Sequence, residues 1–402
     1  MPRYTYLAKS NPQNTIQGEI EAETEQEAIN KLTAMGYFPI SVSPKLISFE
    51  KQGILSLQKV SKKDIVLFTR QLSSLIDSGI NITNSLNMIA KQANNKYLKI
   101  ILNDCNAKIR DGKSLSESLE SYPKLFPSLY SSTIRTGEAG GNLNETLKRL
   151  SAFLEKGEEF RDSIRAALTY PFFILIVSVL TIFVLLMFVV PRLITMFEDM
   201  GQVLPLPTRI LINSSGFIRT YAWIIAAVIF VSIFFSRRFY FSQQGRIFFD
   251  RLRLKIMILG PIVLKTEISR MMRTLSLLLS SGVPITSSLE ISNSIVENQI
   301  LKSEVQKFKE NINSGASFSD SLRSSAFFPE FVTNIVAVGE ETGRLDQSLM
   351  RIANDYEKEV ERTLNTLTRM LEPIIILVMG LIVCFIVLSM LLPIFQINLI
   401  AK

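Results

Sequence analysis

The chain writes one phrase twice. "GEAGGNL" at residues 137–143 returns as "GEETGRL" at residues 339–345, within a longer duplication. A shift of 203 lays Arg70–Leu86 on Arg273–Leu289, and counting from Phe68 against Met271, ten of nineteen positions are identical. The same shift aligns "GKSLSESL" from Gly112 with "GASFSDSL" from Gly315, and a shift of 202 then pairs Pro127 with Pro329, Pro171 with Pro373 and Pro191 with Pro393. A register held over about 120 positions is the mark of a duplicated structural unit. Whatever one half folds into, the other half must fold into as well.

Each half reads as helices. Ser61 with Asp64, Ser114 with Glu117 and Ser317 with Asp320 have capping-box spacing, in which a hydroxyl accepts from the third amide of a new helix and the carboxylate reaches back. The pattern predicts helices near 62–77, 82–93, 96–110, 115–121, 127–139 and from 143 onward. That is a six-helix bundle whose last helix runs into an apolar segment, bent at most at Pro171 or Pro373. Gly79 and Gly282 stand where a leucine-rich helix must stop, since glycine tolerates the left-handed conformation of a helix end.

Within the repeated phrase, Gly137, Gly141, Gly339 and Gly343 permit a tight helix-to-helix turn, with positive φ expected at Gly137 and Gly339. Leu143 and its counterpart Leu345 open the buried stripe that Leu147 and Leu150 continue. Glu138 and Glu340 are the residues that a turn does not require. They either bond amides at the N-terminus of the following helix or bind a partner or an ion.

Two runs of nineteen residues, Phe172–Val190 and Ile374–Leu392, contain no charge and are fenced by prolines. A helix of that length covers about 28 Å, close to the hydrocarbon thickness of a bilayer. Between them Tyr221–Phe235 gives fifteen uncharged residues, long enough to cross with Ser236 and with snorkelling of Arg219, Arg237 and Arg238. Lysine and arginine number 3, 6 and 3 in segments 152–171, 236–255 and 354–373, against 3 and 1 in 191–220 and 393–402, which puts the large polar segments in the cytoplasm. Two spans separate the copies, so both bundles are expected on one side.

The expected architecture is therefore mainly α: a polytopic membrane protein with two homologous cytoplasmic six-helix bundles in tandem, three transmembrane helices and a small α+β N-terminal module. The module covers 1–45, with strands at "YTYLA", "IQGEIEA" and "FPISVS" around a helix capped by Thr24 with Glu27 and ending at Gly36. A linker follows at 46–60, then bundle one at 61–171, a span at 172–190, a periplasmic loop at 191–220, a span at 221–236, bundle two at 237–373, a span at 374–392 and a short periplasmic tail at 393–402.

Composition narrows the function. There is no histidine among 402 residues, which removes the commonest general base, metal ligand and nucleophile partner. The two cysteines, Cys105 and Cys384, supply no disulfide framework and no CxxC site. A formal charge of +8 comes without basic runs interleaved with aromatics, so no nucleic-acid groove is expected. "AKIRDGKS" at 107–114 imitates a phosphate loop, but it follows a helix where that loop needs a strand, and the second copy has Ala316 where Lys113 stands. No enzyme, cofactor or metal site is expected. A small multi-span transporter or channel subunit is the alternative, against which the spans carry no charge in their interiors.

The repeated phrase, together with "FTRQLSSLIDSG", "RTLSLLLSSGVP", "LTYPFFI", "VVPRLITMF" and "LPLPTR", resembles the type II secretion F / type IV pilus platform family (GspF/PilC) over nearly the whole chain. The resemblance implies a multi-pass protein of the bacterial inner membrane with its N-terminus in the cytoplasm. It further implies coupling of a cytoplasmic hexameric assembly ATPase to the extraction of pilins or pseudopilins, in contact with other inner-membrane assembly proteins and membrane lipid. A homo-oligomer is expected.

Overall fold

Alternating side chains at the N-terminus build a three-stranded antiparallel sheet of order β2-β1-β3, from β1 (Arg3–Asn11), β2 (Asn14–Glu21) and β3 (Phe38–Pro44). Tyr4 faces Ile20 on one neighbour and Pro44 on the other. Helix α1 (Glu25–Ala34) buries Ala28 and Leu32 in the same unit as Tyr4, Ala8 and Ala22. It ends at Gly36, where φ is +78°. The computed structural model describes residues 3–11, 14–22, 25–44, 59–191 and 205–400, and it divides into Met1–Lys59 and Val60–Lys402. The Thr24 cap, the turn at Pro12 and Gln13, most of the 46–60 linker, residues 192–204 and the last two residues lie outside those described.

The second unit begins with six helices: α2 (Lys62–Asp77), α3 (Ile82–Gln92), α4 (Lys96–Arg110), α5 (Leu115–Glu120), α6 (Ser128–Ala139) and α7 (Leu143–Val184). Four of them, α2 to α5, start at a side-chain cap. Ser61 and Ser114 make complete capping boxes with Asp64 and Glu117, while Asn81 and Asn95 accept from the amides of the helices they precede. Phe68, Leu72, Leu86, Leu102, Leu119 and Ile134 form the shared core, each contributing about 1.5–3 kcal/mol by burial. Two polar contacts brace it: Thr69 Oγ1 lies 2.9 Å from the Tyr130 hydroxyl, and the Tyr122 hydroxyl donates to Asp104 at 2.6 Å.

The second repeat follows the same plan with α10 (Leu259–Ser280), α11 (Ile285–Ile295), α12 (Gln299–Asn313), α13 (Phe318–Arg323), α14 (Glu330–Glu341) and α15 (Leu345–Ile400). Before it stand α8 (Leu206–Tyr240) and α9 (Gln243–Lys255). Helix α9 has no counterpart among the described residues of the first repeat. The buried Asp250 on α9 accepts from the Gln299 amide, and the Asn298 side chain donates to the Asp250 carbonyl, which fixes α9 on the start of α12. Arg273 is buried and bidentate on Glu357, with Nε to Oε1 at 2.8 Å and Nη2 to Oε2 at 2.5 Å, whereas its counterpart Arg70 is exposed.

Three helices are long. Helix α7 continues through one π turn, Leu185–Val189, and α15 runs for 56 residues. Among the described residues, two helical stretches are long and apolar enough to cross a membrane, Leu143–Val189 and Leu345–Leu392, and their most apolar windows are 0% and 11% buried. A soluble core helix would be covered on at least one face; these side chains are bare where lipid would lie.

The structure departs from expectation at three places. Residues 206–220, expected within a loop, are the first turns of α8, held by Thr208 Oγ1 donating to the Ser389 carbonyl, Ser215 Oγ donating to the Leu186 carbonyl, and Leu211 in a small core with Leu186, Val190 and Ile386. Pro393 does not end the last helix, which reaches Ile400, so the expected tail is helical over 393–400. Bundle two also holds more than its six repeated helices, since α9 joins it.

Candidate functional site

The repeated phrase forms the corner between α6 and α7, and between α14 and α15. Gly141 and Gly343 lie just past the helix ends with φ of +68° and +67°. There the Asn142 amide donates to the Gly137 carbonyl at 3.0 Å and the Gly141 amide to Glu138 at 3.2 Å; Arg344 and Gly343 make the same two bonds to Gly339 and Glu340. That is a Schellman ending, which needs a left-handed residue at this position. Gly79 and Gly282 close α2 and α10 in the same way, with φ of +82° and +89°.

Gly137 and Gly339 do a different job from the one expected. Both are buried inside α6 and α14, and neither has positive φ. A Cβ at Gly137 would stand 2.5 Å from Thr146 Oγ1 and 2.7 Å from Thr146 Cβ; at Gly339 it would stand 2.6 Å from Ser348 Oγ and 3.2 Å from Leu345 Cα. The glycine is there so that two helices can approach. Leu143 and Leu345 are partly buried against their respective cores, and Leu147 and Leu349 beyond them are fully buried.

The glutamates reach backward along the chain. Glu138 accepts from the Leu115 amide at 2.7 Å and the Ser116 amide at 3.2 Å, and Glu340 accepts from Phe318 at 2.7 Å and Ser319 at 2.8 Å. Each carboxylate therefore covers the first two amides of a six-residue helix, α5 or α13, while Ser114 or Ser317 takes the third. The following helix, α7 or α15, receives nothing from it. A negative charge on those amides satisfies donors the helix cannot pair internally and complements its positive end.

The second repeat is one residue shorter between these two partners, "SYPKLFP" against "SSAFFP", and the same pair of bonds forms across both lengths. One signal in the sequence pointed to this pairing: "SLSESL" and "SFSDSL" repeat in step with the glutamates. The close neighbours Thr146 and Ser348 gave no such signal. The phosphate-loop imitation at 107–114 is the end of α4, a turn with Gly112 at φ +92°, and the cap of α5.

Electrostatics elsewhere in bundle one serve packing. Burial works against the charge of Asp104, but hydrogen bonds from Lys108 and Tyr122 outweigh it and hold the carboxyl below its ordinary range. Burial pushes the Cys105 thiol up to about 12, so it stays protonated. Among the described residues, no three metal-ligating side chains come together.

The duplication and its helical corners coincide with a described family. The sequence profile "Type II secretion system (T2SS), protein F" matches residues 68–191 and again 271–393, and "Type II secretion system protein F, N-terminal domain" matches 1–43. "Type IV pilus assembly protein PilC" of Thermus thermophilus is 35% identical over 99% of this chain and 98% of its own length. "Type IV pilus assembly protein PilC" of Myxococcus xanthus is 32% identical over 98% and 94%. "Type II secretion system protein F" of Pseudomonas aeruginosa is 32% identical over 99% of both chains. With both repeats and the N-terminal unit matched, this chain belongs to the type II secretion system protein F family, which includes the PilC proteins.

Proposed function

We propose that the chain is a non-enzymatic inner-membrane platform of a type IV pilus or type II secretion machine, coupling a cytoplasmic hexameric ATPase to the extraction of pilins or pseudopilins and to filament assembly. The observation that carries this reading is the continuity of α7 and α15, each of which begins inside a packed bundle and runs without a break into an apolar span. A push on such a bundle moves the membrane segment with it. In this reading the apolar run of α8, Tyr221–Ser236, is the third span, both bundles and the N-terminus face the cytoplasm, and bundle one with the N-terminal unit meets the ATPase. The relatives named for pilus assembly and for secretion support both machines equally.

The test is a deletion scored for surface filaments, secreted protein and transformation together, with co-purification of the ATPase on the solubilised chain. Loss of one of the three outputs at normal ATPase abundance is expected, with ATPase recovery falling when residues 1–165 are removed. Normal outputs in all three assays contradict the platform role, and unchanged ATPase recovery contradicts the assigned contact.

A further inference from the structure

One stripe of the long repeated helix is closed in the second repeat and open in the first. On α15, Tyr356 and Val360 are 6% and 1% exposed, and Glu359 pairs with Lys265 of α10. A shift of 202 puts Leu154, Glu158 and Gly157 of α7 at those places, and a shift of 203 puts Lys62 of α2 where Lys265 stands. The first repeat therefore has a smaller side chain, a charge in place of a valine, and no carboxylate to meet its lysine. Lys62 forms no ion pair with any described residue. No neighbouring atom lies within 4 Å of where a Cβ at Gly157 would stand. A glycine inside a helix costs about 1 kcal/mol against alanine, and close packing does not require one here. What Gly157 leaves is room.

The room is a cavity of 380 Å³ between the repeats, within the size range of small-molecule sites. Phe153, Phe160 and Ile164 of α7 give it apolar and aromatic walls, while Lys62 and Arg161 from the first repeat and Arg270 from the second bring cations to it. Arg161 is paired with Glu158, and Arg270 lies 3.0 Å from Glu297. Lys62 is left unmatched. Partial burial, then the charges of Arg161 and Arg270, hold its ammonium below the ordinary range against the opposite pull of Glu158 and Glu297. An anion placed there would relieve that repulsion. Guanidinium groups suit phosphate, and aromatic side chains suit the face of a base. Ile164 stands eight positions, about 12 Å of helix, before Phe172, where the uncharged run begins. Between them α7 is held to α15 by Thr368 Oγ1 donating to the Ala167 carbonyl at 3.1 Å and by the Tyr170 hydroxyl donating to Glu372 at 3.0 Å. With Phe172–Val190 as a span, a lipid phosphate at the bilayer surface does not reach the cavity, whereas a soluble ligand does. We propose that this cavity binds a nucleotide, its base against Phe153 and Phe160 and its phosphates on Lys62, Arg161 and Arg270. Held by cations from both repeats, the nucleotide braces bundle two on bundle one. Binding alone is meant, with no hydrolysis, and it is independent of which machine the chain serves.

The test is equilibrium dialysis of the full-length chain in detergent, purified away from any ATPase, against radiolabelled ATP and, separately, AMP. Saturable uptake is expected, displaced by the unlabelled nucleotide but not by the same concentration of inorganic phosphate or of phosphatidylglycerol in mixed micelles. Gly157→Glu restores the carboxylate that the second repeat carries at Glu359, in a place with no neighbour to clash. It should keep the thermal midpoint of the unliganded chain and weaken uptake about tenfold or more, and Lys62→Gln, at an exposed position, should do the same through loss of a charge-assisted hydrogen bond. Nucleotide should raise the midpoint of the unaltered chain and not that of Gly157→Glu. No saturable uptake of either nucleotide overturns the proposal. So does uptake that both variants leave unchanged, or displacement by inorganic phosphate or phosphatidylglycerol as readily as by nucleotide.

Discussion

Gly137 and Gly339 show how one atom sets a corner. Replacing either by valine forces Cβ into Thr146 or Ser348, and such overpacking costs about 1–3 kcal/mol; a lowered thermal midpoint of the purified chain is expected, and an unchanged midpoint contradicts the close approach. Glu138→Gln removes the charge from two amide bonds and is expected to cost about 1–2 kcal/mol, with Glu340→Gln alike. Asp104 supplies the pH dependence. Its folded carboxyl ionises below the unfolded range, so its stabilisation is complete above that range and is lost as pH falls through the folded value. Asp104→Asn should therefore cost about 1.5 kcal/mol at neutral pH, from its bonds to Lys108 and Tyr122, and the deficit should shrink in acid. A constant difference across pH contradicts this.

At the scale of elements, helix limits were legible because local chemistry writes them: serine caps with a carboxylate three residues on, and glycine after a leucine-rich run. What was not legible depended on neighbours distant in sequence. The backward reach of Glu138 to α5, the clash that makes Gly137 a glycine, and the passage of Leu277 into the core of bundle one each involve a partner outside the local window that caps and turns are read from. The first turns of α8 read as loop because Asn213 and Ser214 are polar, and Ser215 finds its acceptor only on another helix. In the proposed platform role, α7 acts through its stiffness. Ala166 and Ala167, between bundle one and the apolar run, replaced together by glycine lose about 1 kcal/mol of helix preference each. The chain is expected to accumulate normally while filament assembly or secretion falls; full output with both glycines contradicts transmission through that helix.

For the whole molecule, duplication places two bundles on stiff helices that each enter an apolar span, and the remaining question is which side each bundle faces. In the proposed topology, argued from the lysine and arginine distribution and from a third span in α8, both face the cytoplasm. A membrane-impermeant maleimide applied to spheroplasts tests this directly, with one cysteine introduced at a time, at Lys113 in bundle one, Ala316 in bundle two or Gly201 in the expected loop, all in a Cys384→Ser background that keeps only the buried Cys105. Labelling at Gly201→Cys alone, with Lys113→Cys and Ala316→Cys reacting only after permeabilisation, is the predicted result. Labelling of one bundle but not the other in intact spheroplasts contradicts the account.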